Sequence, residues 1–177
     1  CISCAARVDD PFGLCGDCWS KTPFITGLAC DLCGAPLPGE EDEAVVCDDC
    51  RRVERPWVKG RSALLYKGNA RRILMSLKHG DRLELARPAG EWLARAAGPL
   101  VQTQTLIAPI PSHWRRMLMR RHNPAALLAE RAAETLRVAY CPDLLIKTRY
   151  TEVQDGRSPD DRFENVARVF SVHPKRR

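Results

Sequence analysis

Eight of the nine cysteines form four Cys-x-x-Cys pairs within the first 50 residues. Two residues between the sulfurs let both side chains of a tight turn face one tetrahedral centre, and two such turns complete a four-thiolate zinc site. The spacing therefore predicts two structural zinc ions with no coordination position left for water. The predicted ligands are Cys1, Cys4, Cys15, Cys18, Cys30, Cys33, Cys47 and Cys50.

Pairs that are adjacent in the sequence are expected to share a zinc ion, because closing short loops costs less chain entropy than a crossed arrangement. Gly16 and Gly34 each follow a cysteine, at a position where a metal-binding turn often needs a positive φ. The alternatives are a disulfide framework and a redox-active Cys-x-x-Cys. Four such closely spaced pairs have poor disulfide geometry, and a redox pair works as a single copy, so zinc is favoured.

Charge divides the chain into two parts of opposite sign. Residues 1–50 contain two basic and ten acidic side chains, whereas residues 51–177 contain 26 basic and 12 acidic ones. The net charge of +6 therefore combines an acidic N-terminal segment, residues 1–50, with a basic body, residues 51–177. A basic body attracts phosphates on nucleic acids or small substrates. The sequence predicts no membrane span, and thiolates kept free for zinc predict a reducing compartment, the cytoplasm.

The basic body has the alternating pattern of an α/β domain, in the order β-α-α-β-loop-α-β. Strands are predicted over residues 61–67, 105–111, 141–146 and 167–172, and helices over 69–80, 81–98, 124–137 and 158–165. The predicted helix N-caps are Asn69, Asp81, Asn123 and Ser158, and the predicted core face of the third helix is Leu127, Leu128, Ala132 and Leu136. Pro88 is expected to start, kink or break a turn of the second helix.

Residues 113–123 contain four arginines and no acidic residue, and they are predicted to form a loop. We expect this loop to bind anions, including weak, salt-sensitive binding of single-stranded nucleic acid. Trp114 is either a platform on which bases stack or a buried anchor. A solvated surface that only keeps the chain soluble is the alternative for the arginines. These arginines are Arg115, Arg116, Arg120 and Arg121.

The chain resembles the ComF/GntX family of competence-related proteins, which join an N-terminal double zinc ribbon to a phosphoribosyltransferase-type domain. Arg121-His122 and Pro124 stand where the family commonly has Gly-Phe and Gln. The resemblance implies a double zinc ribbon over residues 1–54 and a phosphoribosyltransferase-like parallel-sheet domain over residues 55–177, whose C-terminal part we expect to be absent. It rests on the four cysteine pairs and on Leu77-Lys78, Gly80-Asp81, Ala108–Pro111, Arg120, Asn123, Thr151, Gln154, Arg162, Asn165 and Phe170.

The resemblance also implies a site for phosphoribosyl pyrophosphate (PRPP) and Mg²⁺ in the full-length protein. The pyrophosphate loop would be Pro111, Ser112 and His113, and the lid would contain Arg149, Thr151, Gln154, Arg162 and Asn165. The family's acidic pair and Thr-Thr-Gly-type loop, which hold the ribose and the 5-phosphate, have no counterpart in the sequence. We therefore expect the chain as given to bind PRPP weakly and to catalyse no transfer.

Two classes of function stay open. One is a ComF-like competence, DNA-uptake or DNA-processing protein that binds single-stranded DNA or PRPP on its basic face and a protein partner through its acidic ribbon. The other is an active phosphoribosyltransferase of nucleotide metabolism that transfers to an unknown base or amine. An acidic pair and glycine loop in the full-length sequence would favour the enzyme.

Overall fold

The computed structural model describes residues 1–40, 44–80 and 82–176, apart from the side chains of Arg120 and Pro159. The chain forms two compact units, Cys1–Thr103 and Gln104–Arg177. The first unit contains 14 basic and 14 acidic residues, and the second contains 14 basic and 8 acidic residues. The acidic ribbon is thus balanced within its own unit by residues 51–103, and the excess positive charge lies in the second unit. The predicted division after residue 54 stays a prediction.

The first unit joins the cysteine-rich segment to two longer helices. Its helices are α1 (Gly16–Ser20), α2 (Asp48–Arg52), α3 (Gly68–His79) and α4 (Ala86–Ala97), with short 3₁₀ turns at Leu83–Leu85 and Gly98–Leu100. The Trp92 ring on α4 packs edge-on against Phe24 of the ribbon, with ring centroids 5.2 Å apart. The ribbon therefore shares a core with the helices, which bury Ile73, Leu77, Leu85, Trp92 and Ala94.

Two predictions for residues 61–69 were wrong. Residues 61–67 form no strand, since Leu64 makes only an isolated antiparallel bridge with Phe24. Asn69 lies inside α3 rather than capping it, because the helix begins at Gly68 and the N-cap position is Lys67. Gly80 ends α3 as predicted, and the predicted cap Asp81 lies outside the described residues.

Pro88 lies in the first turn of α4, where a missing backbone N–H needs no partner, so it fits the expectation that it starts a helix.

The second unit consists of short strands and three helices. Its elements are β1 (Leu106–Ile107), α5 (Trp114–Arg120), α6 (Pro124–Leu136), β2 (Ala139–Tyr140), β3 (Leu145–Lys147), α7 (Pro159–Val166) and β4 (Phe170–Val172). β1 pairs in parallel with β2, and β3 pairs antiparallel with β4, with Leu145 opposite Val172. Among the described residues, the parallel sheet has only two strands. A phosphoribosyltransferase-like sheet is therefore not confirmed.

Of the predicted strand over residues 141–146, only Leu145 and Ile146 are extended, as part of β3, because a turn at residues 142–143 follows β2. The predicted strands over residues 105–111 and 167–172 shorten to β1 and β4. The predicted arginine loop contains helix α5, whose residues are mostly good helix formers and whose N-cap is His113.

The predicted caps of the last two helices are confirmed. The Asn123 side chain accepts the N–H of Ala125 at 3.1 Å, and the Ser158 hydroxyl accepts the N–H of Asp161 at 3.1 Å. The core face of α6 was predicted only in part. Ala132 is buried, whereas Leu127, Leu128 and Leu136 are half-buried, and Ala129 and Ala133 complete the buried face.

Candidate functional site

The eight paired cysteines form two clusters, Cys1/Cys4/Cys15/Cys18 and Cys30/Cys33/Cys47/Cys50, and the sulfurs of each cluster all lie within 4.8 Å of one another. The Sγ atoms of Cys4 and Cys15 are 3.7 Å apart, as are those of Cys33 and Cys47. A tetrahedron with Zn–S bonds of about 2.3 Å separates its sulfurs by about 3.8 Å. All nine cysteines are free thiols, so each cluster fits one zinc ion.

The first pair of each cluster closes through a residue in the left-handed conformation. Ala5 has a φ of 63° and Gly34 a φ of +72°. The backbone N–H of Ala5 donates to the carbonyl of Cys1, and that of Gly34 donates to the carbonyl of Cys30. The chain turns in the same way at both clusters, and one of the two turns uses alanine where glycine costs less strain.

The second pair of each cluster opens a helix instead. Cys15 is the N-cap of α1 and Cys47 is the N-cap of α2, and both have a φ of −68°. Gly16 is therefore a helical residue, and the prediction that it needs a positive φ was wrong. The two zinc sites therefore have the same local structure. In each, the first cysteine pair lies in a turn closed by a left-handed residue, and the second pair begins a helix.

Backbone donors prepare the second cluster for a cation. Burial opposes ionisation of Cys30, but the N–H groups of Cys47, Cys33 and Leu32 outweigh it and lower the pKa of this thiol to about 6. Burial, together with hydrogen bonding to the neighbouring sulfurs, raises the pKa of Cys33 to about 12. Four thiolates in one cluster need a divalent cation to balance their charge.

The first cluster is joined to α3 through a buried polar network. The Asn69 side-chain N–H donates to the carbonyl of Cys18 at 3.2 Å and to the hydroxyl of Thr22 at 2.8 Å. Its amide oxygen accepts the hydroxyl of Ser3 at 2.5 Å and the guanidinium of Arg72 at 2.7 Å. Asn69 and Thr22 are both buried, so this zinc site and the helix are held together.

The second cluster is joined to the segment that follows the ribbon. Arg61 forms a half-buried ion pair of 2.5 Å with Asp31, and the N–H of Gly60 donates to the carbonyl of Asp31 at 2.7 Å. The Ser62 hydroxyl donates to the carbonyl of Cys33 at 3.3 Å. A side chain at Gly34 would come within 2.4 Å of the backbone nitrogen of Ser62, so only glycine permits this contact.

A second candidate cluster, entirely within the second unit, surrounds Thr151, and we call it the cationic cluster. The Lys147 ammonium donates to the Thr151 hydroxyl at 2.6 Å, and the Arg116 guanidinium donates to the Thr151 carbonyl at 3.3 Å. The His113 ring contacts Tyr150 edge-on at 5.5 Å and accepts the N–H of Arg115 at 3.3 Å. The members of the cationic cluster are His113, Arg116, Lys147, Arg149 and Thr151.

The charges of the cationic cluster repel one another. Desolvation lowers the pKa of Lys147, and the positive charges of Arg116 and Arg149 lower it further. Desolvation likewise lowers the pKa of His113, and its other perturbing neighbours are all cations. Within the described part of the chain, Arg116, Lys147 and Arg149 form no ion pair. The cluster thus lacks a negative charge that a bound anion would supply.

The predicted lid residues are tied to one another rather than scattered. Arg149 donates to the carbonyls of Asn165 and Ala167, Asn165 donates to the carbonyl of Glu152 at 3.1 Å, and Gln154 donates to the carbonyl of Arg162 at 3.3 Å. Thr151 is only 4% exposed. The segment therefore rests on α7, and closure over a ligand stays a prediction.

The remaining predicted residues lie on and around α5. Arg115 and Arg121 are exposed, and Pro111 and Ser112 lead half-buried into His113. The side chain of Arg120 lies outside what the structure describes. Trp114 is 60% exposed, which excludes the buried-anchor alternative.

Residues 147–157 fall in the lid that the resemblance implies, but sequence reasoning did not single out Lys147 or Tyr150 within it. Neither belongs to a local motif, and the hydrogen bonds to Thr151 and the contact with His113 exist only after folding.

The comparisons with known proteins agree with the predicted zinc ribbon. Residues 1–51 match the double zinc ribbon domain family. The chain is 24% identical to Competence protein F of Haemophilus influenzae over 178 residues, which cover 97% of this chain and 76% of the relative. The chain therefore has an N-terminal double zinc ribbon and is similar to a competence protein, as the resemblance predicted, and the phosphoribosyltransferase-like part is not confirmed. No solved structure matches the chain.

Among the described residues, no helix has both the length and the apolar character needed to cross a membrane.

Proposed function

We propose that this chain acts in competence as a DNA-handling protein, and that the cationic cluster binds the phosphates of single-stranded DNA. The observation that carries the proposal is the pair of cations on Thr151, where Arg116 and Lys147 are held together without an acidic partner in the described part of the chain. A phosphate placed there removes the repulsion between them and gains charge-assisted hydrogen bonds.

Exposed aromatic rings beside these cations favour a single strand over other phosphate ligands. Trp114 is 60% exposed and Tyr150 is 43% exposed, and both rings contact the imidazole of His113. Proteins that bind single strands combine a positive groove with aromatic side chains on which unpaired bases stack. The guanidinium of Arg115 lies 5.4 Å from the Trp114 ring centre, which places a cation beside that platform.

The test is the affinity of the whole chain for a fluorescently labelled single-stranded oligonucleotide that lacks a terminal phosphate. We expect Lys147→Ala to weaken binding about tenfold, because it removes one charge-assisted contact of about 1.4 kcal/mol. Lys175→Ala is the matched control, since Lys175 is an exposed lysine of the same unit. Equal affinities for the two variants would refute the proposal.

The second candidate ligand is the pyrophosphate group of PRPP. Its support is that Pro111 and Ser112 lead into His113, which belongs to the cationic cluster and shares its positive neighbours with Lys147. Competition separates the two candidates at millimolar PRPP with Mg²⁺, the range expected for weak binding by the chain as given. A cluster built for PRPP should release the oligonucleotide there, whereas a cluster built for a strand should retain it at matched ionic strength.

The zinc ribbon, in this proposal, is a structural module that needs a reducing compartment such as the cytoplasm to keep its thiolates available. A protein partner for the ribbon stays a prediction.

A further inference from the structure

A groove of about 610 Å³ runs along the surface of α3 in the zinc ribbon unit. Arg71, Arg72, Met75 and His79 line it, and glycines stand at its two ends. α3 contains no acidic residue between Gly68 and His79. Within a unit that is neutral overall, this helix is therefore a local concentration of positive charge.

Arg72 is held in place within the groove. Its Nη2 donates to the amide oxygen of Asn69 at 2.7 Å and to the hydroxyl of Ser3 at 2.8 Å. These bonds use one terminal nitrogen of a guanidinium that carries five N–H donors, so the others remain for a ligand. Fixing the side chain in advance reduces the entropy that binding would otherwise cost.

Arg71 complements this fixed guanidinium. Its side chain is exposed, and in the described part of the chain it enters no ion pair. The Arg71 guanidinium can form a bidentate contact with a phosphate, and the Nε and Nη1 atoms of Arg72 can each donate a single hydrogen bond beside it. The half-buried Met75 between them and His79 offers an apolar surface for a sugar or base.

We infer that the α3 groove is a second binding surface for the phosphodiester backbone of single-stranded nucleic acid, separate from the cationic cluster. This inference rests on the proposed function, since both need the chain to bind a strand. The 12 residues of α3 extend about 18 Å, which is far longer than a single phosphate and suits several successive ones.

The first zinc site positions this surface through one residue. Ser3 lies between Cys1 and Cys4, and its hydroxyl contacts both Asn69 and Arg72. Ser3 is therefore a positioning residue for the groove, because it orders a guanidinium that itself touches the strand.

Arg71→Ala tests the groove in the chain of 177 residues with a labelled single-stranded oligonucleotide. We expect a three- to tenfold loss of affinity with unchanged zinc content, which corresponds to about one phosphate contact. Lys78→Ala is the matched control, because Lys78 is an exposed cation on the same helix outside the groove lining. Ser3→Ala should weaken binding by a smaller factor than Arg71→Ala.

Equal affinities for Arg71→Ala and Lys78→Ala, alongside a loss in Lys147→Ala, would overturn the groove and leave the cationic cluster standing. The groove proposal would also be overturned if inorganic phosphate displaced the oligonucleotide at a concentration equal to that of the oligonucleotide's phosphates. Such displacement would mean that the groove binds one anion and not a strand. A wild-type chain that binds no oligonucleotide would overturn both proposals.

Discussion

The side-chain amide of Asn69 donates a 3.2 Å hydrogen bond to the backbone carbonyl of Cys18, a ligand of the first predicted zinc site. The same amide nitrogen also donates to the Thr22 hydroxyl, and all three residues are buried. A buried acceptor that loses its donor costs the full desolvation energy of that group. The contact therefore makes the zinc ribbon and α3 parts of one folded unit.

Asn69→Ala is expected to lower the free energy of unfolding of the first unit by about 1–3 kcal/mol, because it removes the N–H donor shared by the Cys18 carbonyl and the Thr22 hydroxyl and the oxygen that accepts the Ser3 hydroxyl. Urea denaturation followed by circular dichroism measures the change. Ser76→Ala on the same helix is the control and should change stability by less than about 0.5 kcal/mol. Equal midpoints for the two variants would show that the network contributes nothing.

Gly34→Ala and Gly16→Ala form a matched pair, since each glycine follows a cysteine of a zinc site. Gly34 has a φ of +72° and its added Cβ would collide with Ser62, whereas a Cβ at Gly16 meets nothing within 4 Å. We expect Gly34→Ala to destabilise the first unit by more than about 1 kcal/mol and Gly16→Ala to be neutral or stabilising. Thermal unfolding distinguishes them, and the reverse order would contradict the described turn.

Cys30→Ser is expected to reduce the zinc content from two ions to one per chain, because the second cluster loses one of four thiolates. Elemental analysis of protein purified without added metal gives the stoichiometry. Limited proteolysis should then cut within residues 1–103, where Asp31 and Cys33 contact residues 60–62, and spare the second unit. Two zinc ions in the variant, or one in the wild type, would be inconsistent with two independent sites.

Binding of an oligonucleotide is expected to strengthen as the pH falls below about 6.5. The pKa of His113 lies below its usual 6.5, chiefly through desolvation and then through the neighbouring cations, so the imidazole is neutral at pH 7. A bound phosphodiester raises that pKa, and binding therefore takes up a proton. Fluorescence anisotropy at several pH values measures the effect, which should be absent in His113→Gln.

The free chain should respond to pH in the opposite direction. Because the folded-state pKa of His113 is below the unfolded-state value, its contribution to stability is complete above about pH 6.5 and is lost as the pH falls below that value. Stability that is equally pH-dependent in the wild type and His113→Gln would show that His113 is not the responsible group.

Local patterns predicted the features of the chain that depend on near neighbours. The four cysteine pairs identified both clusters, and Asn123 and Ser158 were recognised as caps because capping needs only the next three residues. The prediction of a strand over residues 61–67 was wrong. The alternating apolar residues of this segment pair with the ribbon through one bridge, between Leu64 and Phe24, and not with a neighbouring strand of a sheet.

Contacts between distant residues could not be predicted. Asn69 has the residue type of an N-cap, but its amide is used 47 and 51 residues away along the chain, by Thr22 and Cys18. Lys147 was only the start of a polar stretch until β3 placed its ammonium beside Thr151 and within reach of the charge on Arg116. The equal numbers of basic and acidic residues in the first unit could likewise not be predicted, because they depend on the boundary of that unit at Thr103.

The salt dependence of oligonucleotide affinity tests the central claim most directly. For single strands, each phosphate contact contributes a slope of about 0.7 to the plot of log affinity against log salt concentration. We predict that the Arg116→Ala, Lys147→Ala double variant has a slope about 1.4 units shallower than that of the wild type. A slope unchanged from the wild type, with the variant still folded, would contradict the claim that these two residues bind the DNA backbone.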